Sequence, residues 1–297
     1  MSDNLKFAKE ATEVFKRSQD PNGERRDWIE AYRMSRSLIA QALRASSMLQ
    51  DIPSALVSSG GHLRAFRYML APPLSQDRLA IVCSAYVKSK EKTGKPYGAA
   101  EANELANFII ERLDPYALAV RSGGAEMPRT SVRQLMNKTG ALIANQDLQT
   151  VTRNRLSDEQ ERLTLKHLSQ NGYSLLPPKQ VSHRGGVSQL SLMHKAKLAI
   201  SSTNTQEVDI AVGMKGDHML ALECKVSNDQ TNSIKRVNDV IAKHHSWMSY
   251  WGAGFITTGA LLQGVFSDKS IKKLEKEGIH IFWSHRISDL SDYVLDR

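Results

Sequence analysis

The sequence predicts an α/β protein, a mixed β-sheet flanked by helices, with a helical N-terminal region ahead of it. Three observations carry that expectation. Runs with apolar residues at helical spacing fill the first part of the chain. Two strand-like runs, Val208–Met214 and His218–Val226, flank the turn-prone Lys215-Gly216-Asp217. An amphipathic helix and the strand-like Gly254–Leu261 follow directly.

In chain order, Asp27–Leu49 is one long amphipathic run and Ala99–Asp114 is another, ended before Pro115. Between them, Ser58-Ser59-Gly60-Gly61 reads as a turn and Pro72-Pro73 as a break. Residues 119–134, with Gly123, Gly124 and Pro128, read as a loop or linker. The expected division is a helical region over 1–125, a basic connecting segment over 126–155 and a core over 156–297. The core opens with Leu156–Tyr173. There Ser157 and Gln160 fit a capping box, Leu165 and Leu168 give an apolar face, and Asn171-Gly172 stops the helix.

The hairpin holds the chemistry. Ala221, Leu222, Cys224 and Val226 make its second strand apolar on both faces, which marks a central, buried strand. Charged residues are seldom placed there unless paired or bound to metal. This strand nevertheless carries Glu223 and Lys225, which alternation sets on one face, with Leu222 and Cys224 on the other. The hairpin can bring Asp209 alongside them. Two carboxylates at such a corner suit a hard divalent ion such as Mg²⁺, which takes one or two carboxylates and keeps room for phosphate oxygens. The lysine would orient or help activate a water and balance charge developing on the phosphate. A solvent-exposed hairpin pairing Glu with Lys gives the same pattern; the buried character of the strand favours the metal-dependent reading.

Beyond the hairpin, Asn228, Thr231 or Asn232 can cap a helix whose apolar positions are Ile234, Val237, Ile241 and Met248. Opposite them run Asn232, Lys235, Arg236, Asp239 and Lys243, either a solvated face or, through Asn232, Lys235 and Arg236, a grip on a phosphate backbone. Gly252 and Gly254 end this helix. Arg129, Arg133, Lys138, Arg153 and Arg155 gather around the expected junction, where they could hold DNA in a cleft or serve as soluble surface.

The chain of 297 residues has 40 Lys and Arg against 31 Asp and Glu, a formal charge of +9, which favours a polyanionic partner. Its two cysteines, Cys83 and Cys224, fall in apolar runs and fit a reducing cytoplasm. The polar start MSDNLKFAKE does not read as a signal peptide, and no apolar run is long enough to cross a membrane. Without HExxH or paired CxxC, zinc is not expected; without a strand-Gly-rich-Lys-Ser/Thr order or G-x-S-x-G, neither is a nucleotide-driven motor nor a serine hydrolase. Trp247, Trp251 and Trp283 sit in apolar settings and read as core.

The order of helix, hairpin with Asp209 and Glu223-Cys224-Lys225, helix and strand resembles the PD-(D/E)xK nuclease core, in which type II restriction endonucleases are a large group. ECKVSNDQTNSIKRVND from Glu223, the segment Ala71–Pro96 and the ending GIHIFWSHRISDL resemble the XamI-like restriction endonuclease family in particular. One departure is Val208, where the motif usually has proline. The resemblance implies Mg²⁺-dependent, sequence-specific cleavage of double-stranded DNA to 5′-phosphate and 3′-hydroxyl ends. Asp209 and Glu223 would be metal ligands and Lys225 the motif lysine. It implies a further carboxylate from the helix before the hairpin, Glu159 or Glu161, although either could instead complement the helix dipole. It also implies a helical N-terminal region that walls the cleft or dimerises, a homodimer for double-strand cutting, and a methyltransferase that protects host DNA. A structure-directed repair or junction nuclease on the same core, or a non-catalytic DNA-binding protein, are the other readings.

Overall fold

The computed structural model describes residues 3–296. The chain forms two compact units, Asp20–Val151 and a second one made of the preceding residues through Gln19 together with Thr152 onward. The N-terminal helix α1 (Asp3–Arg17) belongs to the second unit.

The Asp20–Val151 unit is helical. It contains α2 (Pro21–Ala45), α3 (Ile52–Ser58), α4 (Leu63–Tyr68), α5 (Gln76–Val82), α6 (Lys88–Thr93), α7 (Ala99–Ile110), α8 (Pro115–Gly123) and the beginning of α9 (Arg129–Gln170). Short polar residues set the starts. Asp20, Asp51, Ser75 and Asp114 each accept a backbone N–H of the helix they precede, and prolines occupy the first turns of α2, α3 and α8. Ile39, Leu43, Leu56, Phe66, Leu105 and Ile109 belong to one core. Inside it Arg67 pairs with Glu91 at 3.0 Å and the Tyr86 hydroxyl donates to Glu91 at 2.8 Å, so the buried charges are matched.

In the second unit, β1 (Ser174–Leu176), β2 (Gln180–Val181), β3 (Ser191–Ala199), β4 (Thr205–Gly213), β5 (Met219–Ser227), β6 (Ile256–Gly264) and β7 (His280–Trp283) form one sheet. Its order is β1-β3-β4-β5-β6-β7, with β2 also paired to β3. The β3–β4–β5 pairs are antiparallel and β5–β6–β7 are parallel, so the sheet is mixed. The parallel crossovers run through α10 (Gln230–Trp251) and α11 (Asp268–Lys276), and α12 (Ser288–Asp296) follows β7. As expected from its sequence, β5 is central and covered on both faces. Leu220, Leu222 and Cys224 pack with Leu168 of α9 and Leu290 of α12, whereas Met219 and Ala221 pack with Trp247 of α10. α1 packs with α10 and α11 around Ile271 and Trp283. Among the described residues, no helix is long and apolar enough to cross a membrane.

Several local expectations are corrected. Residues 129–170 are one helix, so the segment expected to connect two regions is helical for most of its length, and Ser157 and Gln160 lie in its interior and form no capping box. Gln160 is buried and donates to the Leu261 carbonyl at 3.0 Å and to Ser284 at 2.8 Å, tying α9 to the sheet. The cap of α10 is Asp229, which accepts the Asn232 N–H at 2.8 Å. Ile234 is 50% exposed, because Val237, Val240, Ile241 and Trp247 are the positions that face the sheet. Gly172 and Gly252 end α9 and α10 with positive φ, as anticipated.

Leu222→Ala should therefore lower unfolding stability by about 3 kcal/mol. Ile234→Ser should change it by no more than about 0.5 kcal/mol. Urea denaturation of the two variants beside the parent checks both.

Candidate active site

The β4–β5 ladder begins beside the hairpin at Gly213–Met219 and runs only as far as Ile210–Leu222. β5 nevertheless continues along β6 to Ser227, and β4 continues along β3 to Thr205. The two middle strands therefore part, and Cys224 loses a ladder partner on the β4 side. The Asp209 carboxylate fills that place, its Oδ2 accepting the Cys224 N–H at 2.8 Å.

A second irregularity lies opposite. His194 pairs with Ile210 and Ala196 with Val208, which leaves Lys195 and Asp209 facing each other outside the ladder. Lys195 has φ +55°, a left-handed conformation uncommon for a side-chain-bearing residue. The alternation of faces reverses there. Met193 packs with Ala196 and Leu198, and Val208 packs with Ala211, although strict alternation would separate each of these sets. His194 and Lys195 are consequently both turned to Glu161 of α9, at 2.7 and 2.8 Å.

Three carboxylates and three ammonium groups then form a chain. Lys195 joins Glu161 to Asp209, at 2.8 and 3.1 Å. Lys225 joins Asp209 to Glu223, at 3.0 and 2.7 Å. Lys243 of α10 holds both oxygens of Glu223 at 2.8 and 2.9 Å and also donates to the Glu207 carbonyl. Glu223 is fully buried, and this pairing is what makes its charge tolerable.

Glu161, Lys195, Asp209 and Lys225 open onto a cavity of about 150 Å³, whose wall also includes Arg153, Asn154 and Ser157 of α9 and Arg236 of α10. Glu223 lies behind that wall. Among the described residues, no three His, Cys, Asp or Glu side chains converge as a ready-made metal cage. The carboxylates instead converge in pairs, each on one ammonium. A hard cation accepts the same oxygen donors, so the donor set fits a divalent ion in place of a lysine.

The expected site residues divide accordingly. Asp209, Glu223 and Lys225 are brought together as the hairpin predicted. Glu161 joins them, whereas Glu159 is exposed on the solvent side of α9. Arg153 and Arg236 reach the cavity; Arg155, Lys235 and Asn232 are exposed, and the Asn232 amide is engaged by its own cap, Asp229. Arg129 and Arg133 are exposed on the first turn and a half of α9, in the Asp20–Val151 unit. Lys138 forms an ion pair with Asp114. His194, Lys195 and Lys243 are the site groups that sequence reasoning missed. For His194-Lys195 a partial signal was present: two polar residues in succession in the strand Ser191–Ala199, which breaks the alternation that Lys197 keeps.

A family model described as XamI restriction endonuclease matches residues 47–283. The chain belongs to the XamI restriction endonuclease family. Type II restriction enzyme XamI from Xanthomonas campestris pv. amaranthicola is 28% identical to it over 193 residues, which span 63% of this chain and 67% of that enzyme. Protein VC1899 from Vibrio cholerae aligns with 93% of this chain and 57% of its own length at 11% identity and a TM-score of 0.30, too low to define a shared fold. Membership of the XamI family makes the chain a type II restriction endonuclease, a site-specific deoxyribonuclease. The mixed sheet with flanking helices is consistent with a restriction-endonuclease-like core.

In this XamI-family site, burial opposes ionisation of Asp209 more than any other single effect. Lys225, Lys195 and the Cys224 N–H together outweigh it and hold the carboxyl below its ordinary value of 3.8. Burial likewise opposes the Lys225 ammonium, but Glu223 and Asp209 push it up to about 12. The Asp209 contribution to stability is therefore complete above the ordinary carboxylate value and is lost as pH falls through the lower folded-state value. The Lys225 contribution is complete below its ordinary 10.5 and is lost as pH rises through about 12. The gap in urea midpoint between the parent and Asp209→Asn should stay constant from about pH 5 to about pH 9 and close only below about pH 4. A gap already closing near about pH 6 would mean that the carboxyl is not held low.

Proposed function

We propose that this chain cuts double-stranded DNA at a defined sequence, hydrolysing the phosphodiester with Mg²⁺ to leave 5′-phosphate and 3′-hydroxyl ends. The observation that carries this reading is the cavity at the parting of β4 and β5, where Asp209 shares one ammonium with Glu161 and another with Glu223. Asp209 would hold the ion with Glu223 or Glu161, whose oxygens lie at either side of it. When bound, the ion supplies Lewis-acid polarisation of the scissile phosphate and neutralises charge there.

The remaining work belongs to side chains. Lys225, kept protonated by two buried carboxylates, stays an ammonium at neutral pH, so it donates hydrogen bonds and cannot serve as a proton acceptor. It suits orienting the attacking water and stabilising charge on the phosphoryl oxygens. Glu223, anchored by Lys243, fixes where that ammonium sits. Arg153 and Arg236, on the cavity wall from two different helices, are placed to hold phosphates. Asn232, Lys235 and Arg155 would extend that contact; for the helical unit, with Arg129 and Arg133, a part in DNA binding or in dimerisation is proposed separately. Cutting both strands of a palindromic site needs two active sites related by a two-fold axis, so the working form would be a homodimer. It would act in the cytoplasm beside a methyltransferase that protects the same sequence.

Incubation of unmethylated phage DNA with the parent should give discrete Mg²⁺-dependent fragments sharing one end sequence, absent with EDTA. Asp209→Ala should lower the rate by about 1000-fold or more. A smear would indicate a nuclease that does not read sequence, and full activity in Asp209→Ala would remove this site from the reaction. Glu161→Gln should cost about 100-fold, whereas Glu159→Gln should stay within about twofold. Equal losses in the two would overturn the assignment of Glu161.

A further inference from the structure

The two bridging lysines differ in how firmly they are held. Lys225 has a side chain 14% exposed and lies between a buried aspartate and a fully buried glutamate. The Lys195 side chain is 36% exposed, lines the cavity, and is reached through a left-handed backbone position. Its ammonium lies between oxygens of Glu161 and Asp209, which among the described residues are the two carboxylates that line the cavity. Other groups facing this place are His194 from β3, on the far oxygen of Glu161, and Lys225 from β5, on the far oxygen of Asp209. Those far oxygens are occupied, so a cation entering from the cavity meets the two oxygens that Lys195 holds.

We propose that Lys195 is a built-in counter-cation that positions Glu161 and Asp209 and competes with the divalent ion for them, withdrawing to a DNA phosphate when substrate arrives. This rests on the reading of the cavity as the metal site. An ammonium and a divalent ion cannot share one pair of carboxylate oxygens, because each would sit within close contact of the other's charge. Withdrawal leaves Lys195 without a counter-charge unless an anion accepts it, and the phosphate backbone is that anion. Metal binding is thereby weak in the free protein and strengthened by DNA, a coupling that is reciprocal. Before substrate arrives, Lys195 also holds the two neighbouring carboxylates apposed without a metal.

The test uses Mn²⁺ alone, titrated calorimetrically into the full chain without DNA. Lys195→Met removes the charge and keeps most of the stem. Lys195→Gly removes it at a backbone position that glycine adopts without strain, which safeguards folding. Lys195→Arg keeps the charge. Lys195→Met and Lys195→Gly should bind Mn²⁺ about tenfold tighter than the parent or better, Lys195→Arg should match the parent, and adding Asp209→Ala should abolish the increase. A merely structural lysine would give the opposite sign, since its loss would loosen the carboxylates. Unchanged, weaker or undetectable Mn²⁺ binding in both charge-removing variants overturns the proposal. If Asp209→Ala still weakens the parent's binding, that failure leaves the metal-site reading intact. Binding that ignores Asp209→Ala in every variant overturns both.

Discussion

The Asp209 carboxylate occupies the place where the two central strands of the sheet part, and the structure around it is arranged so that a buried negative charge can stay there. One oxygen takes the Cys224 N–H that the interrupted ladder leaves over, together with Lys225; the other takes Lys195. A side chain thus does the work of a missing backbone partner. The open wedge between β4 and β5 could not otherwise be maintained inside a sheet, because an unsatisfied buried N–H and an unpaired buried carboxylate each carry a large desolvation cost.

From this constraint follows the alternation of charge around the site. Glu161, Asp209 and Glu223 are linked by Lys195 and Lys225 and ended by Lys243, so each acid faces at least one base and the group as a whole is nearly neutral. Different elements supply the members: α9, β3, β4, β5 and α10. Elements that pack only through apolar side chains can slide by a fraction of an ångström; elements joined by a chain of buried ion pairs have less freedom, since removing any one member strands its partner. The Gln160 amide adds to this by fixing the neighbouring turn of α9 on the Leu261 carbonyl.

The same arrangement defines what faces solvent. Glu223 lies behind the wall and pairs with Lys225, whereas Glu161 and Asp209 reach the cavity, whose wall also carries Arg153 and Arg236. Carboxylates that would repel DNA are recessed and neutralised, while guanidinium groups stand at the wall, which is the order of charge that a polyanion meets favourably.

The amino-acid sequence by itself determined the α/β class, the central buried strand, the hairpin around Gly216 and the grouping of Asp209, Glu223 and Lys225. Each of these depends on local physics: period-2 alternation, turn residues, and the cost of charge in a strand apolar on both sides. It also placed Trp247 and Trp283 in the core, where both are fully enclosed, whereas Trp251, expected there too, is half-buried and donates to the Ala199 carbonyl at 2.8 Å. It did not determine that residues 129–170 are one helix, since polar side chains mid-run look like a connector until packing shows which face is covered. Nor could it choose between Glu159 and Glu161, because two residues apart on a helix means opposite sides, and only the docking of α9 says which side meets the sheet. Lys195 and Lys243 entered the site through a reversal of strand alternation and through the seating of α10. Both depend on contacts between residues far apart in the chain, so the tertiary structure alone decided them.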